Sequence, residues 1–399
     1  MHIAGKAAWL LVLLSSVVGA RVVHRTDEPF GLDAVKDLKM AIVVYRHGDR
    51  TAMGTYSTDP HSVSIWPEGL GQLTSRGVEQ HYSLGQFLRK RFALLLKDVS
   101  LSQIYVQSSG LARTLRSAAA NSAGFFPPAV DRSGRWRSND SLSDIWQPIP
   151  IFSRIGWRDA LFRIGPCPLF DILDKFPQSL VDELGWTEQQ HFFHNVTGIP
   201  AADFPMAFFR FNDILFCQSQ HGFPMPTWAT PEVLLDLQRL AAASLRLSIG
   251  GRRSDPQQRL RRRIHGGPML KQIMETLALR ANGTTGSGDV RIQVYSAHEV
   301  NIAALLATLE LYDFENDNHG LVGSPNYAAC LIFELFQNNT VRISLKNNKP
   351  EESRDAQAIV MKHPQCATFC PIDQLLSLTG KYFMTDDEWL STCNKPPLN

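Results

Sequence analysis

Met40 to Tyr45 (MAIVVY) is a short apolar run rich in β-branched residues that stops at Arg46-His47-Gly48-Asp49-Arg50. Its near-continuous hydrophobicity and short length predict a strand buried on both faces, in the interior of a sheet covered by helices. A charged turn at the carboxyl end of such a strand sits where open α/β sheets bind ligands. A second strand, Asp289 to Ser296, ends in Ala297-His298-Glu299. Two strand ends far apart in the chain therefore carry the histidines and charges from which a site is built.

The surrounding pattern fits the same class. Thr74 is the expected N-cap of a helix in which Val78, Tyr82, Leu84, Phe87, Leu88 and Phe92 keep helical spacing. Gln103 to Val106 reads as a strand, and Arg113 to Phe125 as a helix stopped by Pro127-Pro128. Between 155 and 250 the strand signals give way to aromatic residues, prolines and short helical stretches. Thr230-Pro231-Glu232 opens a longer helix there, to about Ile249. Gly266-Gly267-Pro268 begins another helix to about Arg280, Ala303 to Leu311 a further one, and Ala329 to Phe336 with Val341 to Leu345 an antiparallel pair. The predicted fold is α/β: a mainly parallel central sheet flanked by helices over 36–154 and 251–393, with a helical cap domain inserted at 155–250. A chain of 399 residues, 44% apolar, buries a core of that size.

A formal net charge of +2 provides no global field for nucleic acid or an anionic membrane, so no nucleic-acid partner is expected. Residues 1–20 combine Lys6, an apolar stretch from Ala7 to Val18 and small residues at Val18-Gly19-Ala20, the pattern of a signal peptide cleaved before Arg21. The expected location is secreted, or a lysosomal or vesicular lumen. No later segment has about 20 uninterrupted apolar residues, so no transmembrane anchor is expected. In an oxidising lumen Cys167, Cys217, Cys330, Cys366, Cys370 and Cys393 are expected in disulfides, with the pairing open. Cys366-x-x-x-Cys370 near His363 lacks a second close pair, so neither metal nor cofactor is expected. His191-Phe-Phe-His194 abuts a sequon and reads as surface or packing. Asn139, Asn195, Asn282 and Asn338 lie in Asn-x-Ser/Thr patterns and are expected on the surface as glycosylation sites. The arginine run from Arg252 to Arg263 reads as a solvated helix start.

Arg46, His47, Arg50, His298 and Glu299 together suit phosphate-ester chemistry. A phosphate dianion needs fixed cations while phosphorus is attacked, and guanidinium groups hold it with charge-assisted hydrogen bonds. A neutral imidazole attacks phosphorus to form a phosphohistidine. A carboxylic acid beside the leaving oxygen supplies its proton.

The stretch Arg46-His47-Gly48-Asp49-Arg50-Thr51, followed by Trp66-Pro67-Glu68-Gly69-Leu70-Gly71-Gln72-Leu73-Thr74, resembles the histidine acid phosphatases of the prostatic and lysosomal branch. The likeness continues through Leu115 to Pro128, Trp146-Gln147-Pro148-Ile149-Pro150, Gly266-Gly267 and Tyr295-Ser296-Ala297-His298. It implies His47 as the phosphorylated nucleophile, Arg46 and Arg50 as phosphate-binding residues, and His298 as a second histidine bonded to the phosphoryl group. It also implies the pairings Cys167–Cys393, Cys217–Cys330 and Cys366–Cys370, a homodimer, and a small phosphate monoester or phosphopeptide as substrate.

Three positions depart from the family pattern. Val106-Gln107-Ser108-Ser109 stands where Arg-Ser-Thr is usual, which assigns Gln107 to the third phosphate-binding position, with Arg113 six residues on as the place for compensation. Glu299 replaces the usual aspartate proton donor, and Ala52 a proline. These changes leave three expectations: an acid phosphatase of broad monoester specificity, a weakened homologue that binds a phosphorylated ligand, and a phosphatase for inositol phosphates.

Overall fold

The computed structural model describes residues 35–97, 99–127, 147–154, 158–251, 255–283, 289–311, 325–347 and 357–394. The expected signal segment and Asn139 lie outside them. β1 (Leu38–Arg46) is followed by α1 (Ser75–Arg91), α2 (Ala93–Lys97), β2 (Ile104–Ser108), α3 (Ala112–Phe125) and β3 (Ile151–Phe152). Helices α4 (Pro168–Leu173), α5 (Gln178–Glu183), α6 (Thr187–Thr197), α7 (Met206–Gln220), α8 (Pro231–Ser248) and α9 (Gln258–Ala281) come next. The chain then adds β4 (Ile292–Ala297), α10 (Glu299–Thr308), β5 (Cys330–Phe336), β6 (Thr340–Lys346), β7 (Ile359–Met361), β8 (Cys370–Pro371), α11 (Ile372–Thr379) and α12 (Asp386–Cys393).

The strands form one mixed sheet in the order β3-β2-β4-β1-β5-β6-β7, with β8 on β6. The β3, β2, β4 and β1 side is parallel, and β5 to β7 extend it antiparallel. β1 lies at the centre, which explains its unbroken apolar run. Met40, Ile42 and Val44 face a core made with α9 and α10, while Ala41, Val43 and Tyr45 face a second core against α1, α2 and α3. Burial on both faces removes the polar alternation of a half-exposed strand.

Close helix contacts depend on glycine. A Cβ on Gly85 of α1 would stand 2.2 Å from the Asn121 carbonyl oxygen of α3, and one on Gly124 would stand 2.2 Å from the Tyr82 carbonyl oxygen. Gly85→Ala gains about 1 kcal/mol of helix propensity but forces two backbones apart, an overpacking cost of about 1–3 kcal/mol. The clash is with backbone, so destabilisation wins, and the urea midpoint falls. A variant as stable as the parent would mean these helices are free to separate.

Helices α6, α7 and α8 form an aromatic cluster from Phe193, Phe208, Phe211 and Leu237, into which Ala52, Tyr56 and Trp66 from the loop after β1 also pack. Ala52, at the proline position of the family pattern, is fully buried there. The disulfide Cys167–Cys393 ties the start of this helical region to α12, and Cys366–Cys370 closes a short loop.

Three sequence expectations are corrected. Cys217 and Cys330 are not joined; both are free buried thiols. Cys330 opens β5 opposite Tyr45 in the core beside α1, whereas Cys217 belongs to the aromatic cluster of the helical region. The arginine run is only partly solvated: Arg252 and Arg253 lie outside the described residues and Arg259 is exposed, but Arg261 and Arg262 are buried, and Arg262 donates to the Gly250 carbonyl and the Tyr382 hydroxyl. α9 also begins at Gln258 and runs straight through Pro268, so Gly266-Gly267 lies inside it. A Cβ on Gly266 would approach the Ala304 carbonyl oxygen of α10 to 2.8 Å, so this glycine serves helix packing. No described helix is long and apolar enough to cross a membrane.

Candidate active site

Parallel pairing of β1 with β4 sets Arg46 opposite Ala297, so the two charged strand ends become neighbours. His47 N–H donates to the Ala297 carbonyl at 3.0 Å, locking the turns together. Gly48 is required by crowding: a Cβ there would lie 2.4 Å from the Gly77 carbonyl oxygen in the first turn of α1. Its N–H donates to Ser117 Oγ of α3 at 3.1 Å, and Asp49 N–H donates to Gln80 Oε1 at 2.7 Å. Thr74 caps α1 and donates from its hydroxyl to Asp49 Oδ2 at 2.6 Å.

This framing orients His47, which is 1% exposed. Its Nδ1 lies 2.9 Å from the Gly48 carbonyl oxygen. A carbonyl only accepts, so Nδ1 carries the proton and the Nε2 lone pair is free. Burial, reinforced by Arg50, Arg46, His298 and Arg113, holds the His47 pKa well below the ordinary histidine value. The ring therefore stays neutral in acid, where an exposed histidine would be protonated and unable to attack.

Three guanidiniums surround it. Arg46 donates to the Pro325 carbonyl at 2.6 Å, lies 4.3 Å from the centroid of the Tyr327 ring, and pairs through Nε with Glu299 Oε2 at 3.0 Å. Arg50 is gripped by both carboxylate oxygens of Asp213 from α7, at 2.7 and 3.0 Å. Arg113, in the first turn of α3, has its pKa lowered to about 10 by burial and by Arg50, while Glu299 and Asp213 oppose that shift. Both His47 and His298 feel the Arg113 charge.

Glu299 begins α10 with Oε2 at 3.9 Å from His47 Nε2. Burial raises its pKa, but Arg46 and Arg50 outweigh that and bring it to about 2, so the free site holds a carboxylate. The His298 ring centroid lies 5.5 Å from that of His47, and its Nε2 lies 2.9 Å from Ser109 Oγ. Thr114 Oγ1 donates to the Leu111 carbonyl at 2.8 Å, so it accepts from the Ser109 hydroxyl at 2.7 Å. Ser109 Oγ in turn accepts from His298 Nε2–H, and burial followed by Arg113 keeps His298 neutral with a pKa of about 3.

Of the residues expected from sequence, Arg46, His47, Arg50, His298 and Glu299 are brought together. Gln107 is engaged elsewhere: its carboxamide oxygen accepts from the Tyr105 hydroxyl at 3.2 Å, and its backbone pairs with Tyr295 and Phe152. Along β2, Val106 enters the core beside α3, so Gln107 faces the opposite side of the sheet. Asp213, Ser109, Thr114 and Tyr327 were not singled out by sequence, because none lies in a charged strand-end turn. Asn195, Asn282 and Asn338 are exposed.

At one strand end His47 stands among Arg46, Arg50 and Arg113, and a second histidine and a carboxylate reach it from another strand end. The chain belongs to the histidine phosphatase superfamily (branch 2), which it matches over residues 37–145 and 228–350. More particularly, it is similar to the lysosomal acid phosphatase of Bos taurus, 34% identical over 97% of this chain and 85% of that protein. It is also 30% identical to the prostatic acid phosphatase of Homo sapiens, over 90% of this chain and 88% of that one. Among solved structures, the Hafnia alvei phytase in complex with tartrate superposes with a TM-score of 0.63 at 17% identity, covering 90% of this chain and 99% of that one. That likeness is of fold.

Proposed function

We propose that this protein hydrolyses phosphate monoesters through a phosphohistidine on His47. The observation that carries this reading is the His47 imidazole, neutral in acid, with its free Nε2 among three guanidiniums. Nε2 attacks phosphorus as the bond to the ester oxygen breaks, and the departing alkoxide takes a proton from Glu299. Water then attacks the phosphohistidine, giving its proton back to Glu299 and releasing phosphate and free His47. Arg46, Arg50 and Arg113 hold the phosphoryl oxygens; Ser109 holds the His298 ring in the free site, and its Nε2–H becomes a further donor when a phosphoryl oxygen replaces Ser109 Oγ as the acceptor. In this assignment Arg113 takes the third phosphate-binding position in place of Gln107.

Glu299 needs a proton before it can give one. A bound phosphate shares Arg46 and Arg50 with Glu299 and adds negative charge beside it, and both effects raise the carboxyl pKa. The Arg46–Glu299 pair of the free site must therefore loosen on binding, which favours a slower catalyst than one with an unpaired acid. The relatives named for lysosome and prostate support a lumenal or secreted location, reached through residues 1–20. We assign the α/β core to 36–154 and 251–393 and the helical cap to 155–250.

Phosphate release from a series of esters at pH 4–7 tests this function. In Glu299→Gln, alkyl phosphates, whose leaving groups need a proton, lose roughly 10²–10⁴ in kcat. Activated aryl phosphates lose far less. Equal losses in both classes would remove Glu299 as the acid, and no release by the parent would remove the phosphatase reading.

A further inference from the structure

Asp213 is the only carboxylate that the helices between 168 and 248 are seen to place on a site guanidinium among the described residues, and it grips Arg50 through both oxygens. It lies outside the strand-end turns from which the chemistry is read. Resting on the reading above, we propose that Asp213 is a positioning residue that also sets the net charge of the site, matching it to the singly charged phosphate ester and so confining binding to acid pH.

The groups facing the Arg50–Asp213 pair come from five elements. The end of β1 and the turn after it contribute Arg46, His47 and Asp49, α3 contributes Arg113, and α10 with the residue before it contributes His298 and Glu299. From α7 comes Cys217, 3.7 Å from Arg50, and Tyr327 donates its hydroxyl hydrogen or accepts one at 3.4 Å from that sulfur. Burial keeps the Cys217 thiol and the Tyr327 phenol protonated, and both histidines are neutral. Asp49 is turned away to its own partners, Thr74 and His221. What remains is three guanidiniums, from Arg46, Arg50 and Arg113, against the two carboxylates of Glu299 and Asp213.

One net positive charge in a buried site is neutralised by a phosphate monoanion. A dianion leaves the complex with an excess negative charge in a poorly hydrated setting, unless one proton enters with it. Whether that proton then sits on the ester or on Glu299, the composition is the same. Since the second phosphate ionisation lies near pH ~6, the requirement for one proton becomes an upper pH limit on binding. Removing the Asp213 charge while keeping its shape makes the dianion the neutralising partner and lifts that limit. A purely structural Asp213 would act otherwise: its loss would let Arg50 drift and weaken phosphate at every pH alike.

The test is calorimetric affinity for inorganic phosphate from pH 4 to 8, with kcat/KM for a chromogenic monoester alongside. It compares the parent, Asp213→Asn, the smaller Asp213→Ser in case the first does not fold, and the charge-retaining Asp213→Glu. In the parent, phosphate affinity falls as pH rises past the second ionisation of inorganic phosphate, which lies above the ~6 of a monoester. In Asp213→Asn or Asp213→Ser the fall moves up by about one pH unit, so affinity at pH 8 rises roughly several-fold relative to the parent. Asp213→Glu keeps the parental limit even where its affinity is lower. A uniform loss with an unmoved limit overturns the proposal, as does a parent that binds no phosphate at any pH. A shifted limit in a protein without turnover would support the charge role while removing the phosphatase reading, so the two failures are distinguishable.

Discussion

Replacing His47 with alanine is expected to lower kcat by roughly 10⁶, the scale on which enzymes lose rate when a covalent nucleophile is removed. The loss should appear with every substrate, since no leaving group bypasses the missing Nε2. It should leave folding intact, because the backbone N–H of residue 47 still reaches the Ala297 carbonyl and the Gly48–Gly77 contact is unchanged. Rapid quench of the parent with labelled ester should trap an acid-labile, base-stable phosphate on His47, absent from the variant. A label on a serine or aspartate would refute the mechanism. The pH dependence carries its own check. Burial and the arginines hold His47 neutral, so the acid limb of kcat/KM should not show a histidine titrating near its ordinary pKa. A limb near pH ~6.5 that disappears with His47 would mean the ring is not shielded as this geometry requires.

The second large effect separates two candidates for one role. Arg113→Ala is expected to reduce kcat/KM by roughly 10²–10³, as when one preorganised charge-stabilising donor is removed. Gln107→Arg, by contrast, should bring no gain. From sequence alone, restoring an arginine at 107 is expected to repair the site. In the fold, a guanidinium there enters the sheet face beside Tyr105 and Tyr295, both of which already feel the positive charge of Arg154. The measurable outcome is loss of thermal stability with kinetics within about twofold of the parent, since burying a further positive charge there is costly. If Gln107→Arg raised kcat/KM and tightened phosphate inhibition while Arg113→Ala changed neither, the assignment to Arg113 would be reversed.

Much of this molecule was legible from local chemistry. The both-faces-buried strand of Met40 to Tyr45 announces itself because no half-exposed strand tolerates six consecutive apolar positions. Thr74 and Thr230 mark helix starts because a hydroxyl satisfies a backbone N–H that the helix leaves unpaired, as each is seen to do. The charged turns after two strands were visible for the same reason, since polar side chains at the end of a buried strand must meet solvent or a ligand. The Arg261 and Arg262 burial was not visible, because arginine runs are ordinarily solvated. Here Arg262 meets a carbonyl, a tyrosine hydroxyl and the Tyr382 ring, while Arg261 pairs with Asp255 and lies over the Phe176 ring. Which cysteines pair also depends on where Cα atoms end up, and Cys217 and Cys330 end up in separate cores.

What the sequence by itself determined is the inventory: a histidine, two arginines beside it, and a distant His-Glu pair, each at the end of a recognisable element. Only the tertiary structure decided which of the remaining polar residues join them. Gln107 is still within β2 and lies against Tyr105, whereas Ser109 is past the strand end, where the chain is free to turn toward His298, and a helix start brings Arg113 near both histidines. Asp213 enters from a helix with no local mark of function. The pair it makes exists only because α7 packs over the turn after β1, bringing an opposite charge within hydrogen-bond reach of Arg50 in a setting too dry to screen it.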